Sequence, residues 1–244
     1  MEIWEFLQTN LWWILLILAA IFVFVLAWRA NYAYDNFKAH LEENLQIPTR
    51  FCGSTLEFAN TLSQNFFGGR VATKLSSDDE DGFFSPSEQT VTLSETLAGP
   101  ASVASIAIVA HEFGHAVQAY YHPQKLLKHY RFESFVRFLG NLNPVLIILG
   151  VCLAVFAGWV WGAMALGLLL INFLVATSLK FSTIKLEKNA SHEAINLLNK
   201  TKIFADEDIK RIKKFLNQAK RTYTADFLFA ILGWTGLVRR TKFF

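Results

Sequence analysis

Residues 109–118 read VAHEFGHAVQ. His111 and His115 stand four apart, Glu112 follows the first, and the chain around them is 53% hydrophobic. Gly99-Pro100 punctuates the sequence upstream, and His122-Pro123 closes it downstream, because the residue before a proline is pushed out of the helical region. Between these points SVASIAIVA (102–110) and the histidine pair predict a helix. Residues four apart on a helix share a face, so both imidazoles can reach one metal ion. Glu112 is turned about 100° away. It does not ligate, but it can act as general base on a water held by the same metal. Gly114 costs about 1 kcal/mol in a helix interior and points to close approach by a second element. The plainer reading is a pair of satisfied core histidines. It would require burying two imidazoles and a carboxylate in apolar surroundings with partners for each.

Working outward, the composition points to a membrane protein with a polar part. Only 18% of the 244 residues are charged and 15% are aromatic, against about 25% charged in an average soluble domain. A net charge of +3 with no basic-aromatic stripe gives no argument for nucleic acid. Cys52 lies in the polar part and Cys152 in an apolar run, so no cysteine-based metal motif exists. A metal must be held by His, Glu or Asp.

LWWILLILAAIFVFVLAW (11–28) is 18 apolar residues without a charge, within the roughly 17–25 that a span needs. No Lys or Arg precedes it and no small-residue cleavage site follows, so an uncleaved transmembrane helix is expected over 1–28 rather than a signal peptide. Residues 144–179 contain no charge over 36 positions. A single helix of that length would be about 54 Å, so two spans turning at GWVWG (158–162) are expected. YTADFLFAILGWTGLV (223–238) carries Asp226 and is a possible fourth span before a basic tail that ends at 244. The polar region 29–143 opens with the helical NYAYDNFKAHLEENL. STLEFANTLSQNF follows, ending at Gly68-Gly69, and then the acidic loop SSDDEDG (76–82), read as a solvated turn. TVTLSE (90–95) alternates as a strand does. Two further helices, over 180–200 and 205–220, lie in the region 180–222. The expected fold is mainly α. It is an integral-membrane, zincin-like protein with three to four transmembrane helices and a small strand element before the histidine helix.

The third ligand decides the subclass. An extended metzincin motif needs Gly at 118 and His at 121, where Gln118 and Tyr121 stand. His122 lies about 10 Å further along the axis than His115, too far to share the ion. No Asp-Gly pair of the site-2 intramembrane type occurs in the later apolar runs. A Glu on a second helix remains, and only Glu187, Glu193 and Glu207 follow position 133. In LEKNASHEA, Ala190, Ser191 and Ala194 share a face with Glu187, and small residues let that helix approach closely. Glu193 is turned away, and Glu207 belongs to an acidic helix start. Two spans between His111 and Glu187 would return them to one side of the membrane. The excess of Lys and Arg there predicts a site facing the cytoplasm, with the N-terminus outside.

AHEFGHAVQ and Glu187-Lys-Asn-Ala-Ser, with an N-terminal apolar run and a hairpin between them, resemble the YugP-type neutral zinc metallopeptidases of prokaryotic membranes. The resemblance covers most of the chain. It implies one Zn²⁺ per chain on His111, His115 and Glu187, with Glu112 catalytic. More distantly the chain is similar to the HtpX and CAAX prenyl proteases. Their E-x-x-A-D is matched by Glu187-x-x-Ala190-Ser191 except at its last residue, which implies that Ser191 orients a ligand histidine. Tyr223, in a TY pair like the family's, and His192 are candidates to stabilise the oxyanion. TVTLSE is a candidate edge strand for pairing with an extended substrate.

The expected activity is therefore membrane-anchored metalloendopeptidase, acting on peptides or membrane proteins beside the lipid bilayer of a prokaryotic cell membrane. The sequence does not fix an oligomeric state. The alternatives are a site-2-type intramembrane protease and a non-catalytic, zinc-stabilised membrane scaffold. A structural zinc would need no base such as Glu112 and is usually closed by four ligands.

Overall fold

The computed structural model describes residues 2–77 and 82–233. In order, these residues form α1 (Glu2–Leu45), α2 (Thr55–Phe67), β1 (Ala72–Ser76), β2 (Phe83–Ser85), β3 (Thr90–Ser94), α3 (Glu95–Ala98), α4 (Val103–Tyr121), α5 (Pro123–Phe156), α6 (Trp159–Thr201) and α7 (Asp206–Gly233).

Short polar residues set where the helices begin. Ser54 accepts from the Glu57 amide while the Glu57 carboxylate accepts from the Ser54 amide, a reciprocal cap that starts α2. Gly68 ends that helix at φ 59°, the left-handed conformation that a residue without a Cβ adopts freely. Ser102 and Ser105 form the same kind of cap at the start of α4. The segment before α4 is tied down by main-chain bonds from Thr49 to Ala101 and from Val103 to Ile47. The α7 start is pinned by the buried carboxylate of Asp208, which accepts from the Arg50 amide.

Helix α4 is the axis of the core. Every residue from Val103 to Ala116 is buried, the signature of a helix surrounded on all sides. Around it stand Phe58, Leu62 and Phe67 of α2, Val91 and Leu93 of β3, Leu197 and Leu198 of α6, and Phe215 of α7. Phe215 meets Phe37 of α1 with ring centroids 5.7 Å apart, which closes the far side. Fully burying side chains of this size stabilises the fold by about 1.5–3 kcal/mol each.

The sheet has the order β1-β3-β2, with β1 parallel and β2 antiparallel to the central strand. This corrects the reading of TVTLSE as an edge. β3 is paired on both sides, and its Thr90 and Ser94 are buried along with Val91 and Leu93. The alternation of polar and apolar residues therefore does not mark a half-exposed strand. The edges are β1 and the three-residue β2.

The expected spans are also corrected. Among the described residues, no helix is long and apolar enough to cross a membrane. Neither apolar run forms a helix of its own. α1 runs on without a break through the polar stretch to Leu45, and α5 begins with charged turns at Pro123. Its apolar part, 144–156, is about 20 Å long against a ~30 Å hydrocarbon core. The side chains of 11–16 and of 223–233 lie outside the described residues, as do 78–81 of the acidic loop and 234–244. The helices nevertheless carry large exposed apolar side chains, including Phe22 and Phe24 of α1, Ile148 and Phe156 of α5, and Met164 and Leu168 of α6.

α5 and α6 turn at Ala157 and Gly158, the latter at φ 105°, so the bend is tighter than GWVWG suggested. From Trp159, α6 then continues as one helix of 43 residues to Thr201. This continuity carries Glu187 back alongside α4.

Candidate metal centre

Gly114 explains how two helices come close enough to share an ion. A Cβ placed there would lie 2.2 Å from the Ala190 carbonyl oxygen and 2.9 Å from its carbon. α4 and α6 are thus in backbone contact, with Ala190 and Ala194 fully buried between them. The site forms on the same face, one turn from this contact.

His111 Nε2 is 3.1 Å from Glu187 Oε2, and His115 Nε2 is 3.4 Å from the same oxygen. One ligand atom from each of the three residues lies within 4.8 Å of the others. Bonds of about 2.0–2.2 Å in a tetrahedral zinc shell put neighbouring ligand atoms roughly 3.3 Å apart. Two nitrogens and one oxygen at these separations, buried or partly buried, fit such an ion. Three protein ligands also leave a fourth position for water or substrate, the pattern of catalytic rather than structural zinc.

The outward faces of both rings are occupied. Gln118 donates from Nε2 to the Leu186 carbonyl at 2.8 Å, which fixes its Oε1 as the acceptor facing His115 Nδ1 at 3.1 Å. His115 therefore donates from Nδ1, which leaves Nε2 as the atom that faces Glu187 and would take the ion once it sheds its proton. Ser191 Oγ lies 3.3 Å from His111 Nδ1, in the equivalent position. Ser191, which stands at the last position of the E-x-x-A-D pattern, is thus placed beside His111. Gln118 was missed, although its spacing of three from His115 puts it on the same helix face.

Glu112 is buried, and the Phe84 amide of β2 donates to its Oε2 at 2.7 Å. No sequence signal marks this contact, because a main-chain donor has no residue identity. Burial lifts the Glu112 carboxyl above its usual range; His115, His111 and the Phe84 amide work the other way. For His115, burial favours the neutral ring, but the Glu187 carboxylate overrides it and the pKa rises to about 9. Burial would likewise raise Glu187, yet His115 and the hydrogen bonds from both histidines hold its carboxyl well below the usual carboxylate range. Without metal the cluster thus keeps a protonated histidine against a carboxylate, in place of a cation.

The remaining candidates are not brought into this cluster. His192 is exposed on α6 and lies outside the group of converging ligand atoms. Tyr223 falls within α7, but its side chain is outside the described residues.

Residues 12–241 match the family described as "putative neutral zinc metallopeptidase". The chain belongs to this family. It is also similar to the "putative membrane protease YugP" of Bacillus subtilis (strain 168), with 27% identity over 149 residues. That match covers 61% of this chain and 63% of the relative, so the chain spans less than two thirds of the relative's length. No solved structure matches it. Family membership implies zinc, and His111, His115 and Glu187 are a donor set that can bind it.

Proposed function

We propose that the protein is a membrane-associated zinc metalloendopeptidase in which His111, His115 and Glu187 hold the ion and Glu112 is the general base. The observation that carries this reading is the convergence of two histidines and a glutamate from two helices beside a second, buried glutamate that takes no part in the ligand set. Zinc, when bound there, supplies Lewis acidity and a water acidified to a pKa near 7. Glu112 accepts the proton of the attacking water and returns it to the leaving amine. Burial raises the affinity of this carboxylate for a proton, which favours the acceptance step. The Phe84 amide holds the Glu112 carboxylate in one orientation, and β2 offers an open strand edge beside it. An extended substrate main chain pairing with β2 would present its scissile bond to the base.

Membrane association is supported by the exposed apolar surfaces of α1, α5 and α6, and by the description of the Bacillus relative as a membrane protease. Peptides or membrane-proximal chains are the proposed substrates.

The test compares wild type with Glu112→Gln and Glu187→Ala for bound zinc and for cleavage of casein. Glu112→Gln is expected to keep its zinc and lose on the order of 10²–10⁴ in rate. Glu187→Ala is expected to lose both. Activity surviving in Glu112→Gln would refute the assigned base, and full zinc retention in Glu187→Ala would refute the third ligand.

A further inference from the structure

Beside the metal centre, and separated from it by Gln118, residues of α4, α5 and α6 line a half-open cavity of about 770 Å³. That size falls within the roughly 300–1,000 Å³ of small-molecule sites. It does not belong to the catalytic face. Gln118 meets His115 at Nδ1, so the cavity lies behind the ring, while both Nε2 atoms face Glu187 on the other side.

The lining has one sign of charge. Lys128 and Lys185 contribute to it, and among the described residues no Asp or Glu does. Buried His129 forms part of the wall, with its ring nitrogens 3.5 Å from the Ser182 hydroxyl and 3.3 Å from that of Thr183. The apolar part comes from Leu126, Leu179 and Phe132. The helices extend this polarity along their length. Toward the turn at Gly158, exposed apolar side chains continue along α5 from Phe135 and Phe138 to Phe156, and along α6 from Leu174 back to Val160. An anion-binding end thus passes into an apolar track.

We propose that this cavity binds the phosphate headgroup of an anionic lipid, with its acyl chains lying along the exposed faces of α5 and α6. Lys128 and Lys185 supply the opposing charge, and the Ser178 and Asn189 side chains at the rim are within the lining for further polar contact. The site is independent of peptide hydrolysis and needs no metal.

The test uses the full chain in an uncharged detergent, titrated calorimetrically with short-chain phosphatidylglycerol, short-chain phosphatidylcholine and inorganic phosphate. Phosphatidylglycerol is expected to bind saturably, one per chain, and more tightly than either of the other two. Each Lys→Gln change at 128 and 185 is expected to weaken it about fivefold, and Lys→Arg to preserve it. Ser178→Trp, which sets a bulky ring across the cavity wall and removes no charge, is expected to weaken it. Glu112→Gln should bind as wild type does, so failure of the peptidase reading leaves this measurement intact. Equal binding of both lipids would overturn the proposal, as would inorganic phosphate binding as tightly as phosphatidylglycerol. Undiminished binding in both the lysine variants and Ser178→Trp would also overturn it. Melting curves of each variant separate loss of binding from loss of fold.

Discussion

At the scale of single residues, the ligands depend on what stands behind them. Gln118 joins His115 to the Leu186 carbonyl, so it sets both the tautomer of one ligand and its distance from the helix bearing another. Gln118→Leu keeps the volume and removes both bonds. Zinc affinity, measured by competition with a chelator, is expected to fall about 10–100-fold, while casein cleavage at saturating zinc falls much less. Titration gives a second expectation. The raised pKa of His115, about 9, makes its pairing with Glu187 stabilising below its unfolded value of roughly 6.5 and lost as pH rises through about 9. The lowered pKa of Glu187 makes its contribution present above roughly 4.5 and lost in acid. Glu112, with a raised pKa, favours the acid side. The metal-free protein should therefore melt at a lower temperature at pH 9 than at pH 6. Zinc competes with the His115 proton, so the stabilisation it gives should grow over the same interval. A metal-free melting temperature that rises toward pH 9 would contradict the assigned pairing.

At the scale of elements, Gly114 and Ala190 are the point where two helices meet. Gly114→Ala raises helix propensity by about 1 kcal/mol, but its Cβ would overlap the Ala190 main chain. Overpacking of this kind costs roughly 1–3 kcal/mol. The variant is expected to melt lower and to bind zinc more weakly, because moving α6 away from α4 separates Glu187 from both histidines. Unchanged zinc binding would show that the two helices do not set the ligand distances.

This element was legible in advance from one glycine and the small residues after Glu187, since each leaves a signature in helical spacing. The sheet was less so. β1 has mostly exposed side chains, and β2 is three residues in a loop-like sequence. Its contact with Glu112 rests on the Phe84 amide, which any residue but proline would supply. TVTLSE was recognisable as a strand, but its place at the centre depends on two partners that local alternation does not encode.

At the scale of the whole molecule, the candidate metal centre joins the two halves of the chain. His111 and His115 come from one side of the hairpin and Glu187 from the other. An ion that binds only the folded state at a thousand times its Kd adds about 4 kcal/mol. Chelation is expected to lower the melting temperature of the full chain, and zinc to restore it. No shift on chelation would mean that no resident ion couples these helices. Composition reads differently at this scale. Counting apolar residues marked the runs 11–28 and 144–179 but assigned them to spans, whereas the described helices are not apolar over a sufficient length. A residue count does not show where a helix starts: 11–28 lies inside α1, and 144–179 is divided between α5 and α6.

The unbroken course of α6 has a mechanical consequence. The helix behaves as a lever whose fulcrum is the Gly114–Ala190 contact. Glu187 is three residues from that fulcrum, about 4.5 Å, and the Trp159 end is about 46 Å away. Rocking that displaces the far end by 5 Å moves the ligand oxygen's helix position by only about 0.5 Å at this ratio. The hairpin can follow whatever surface it rests on while the ligand distances stay almost fixed.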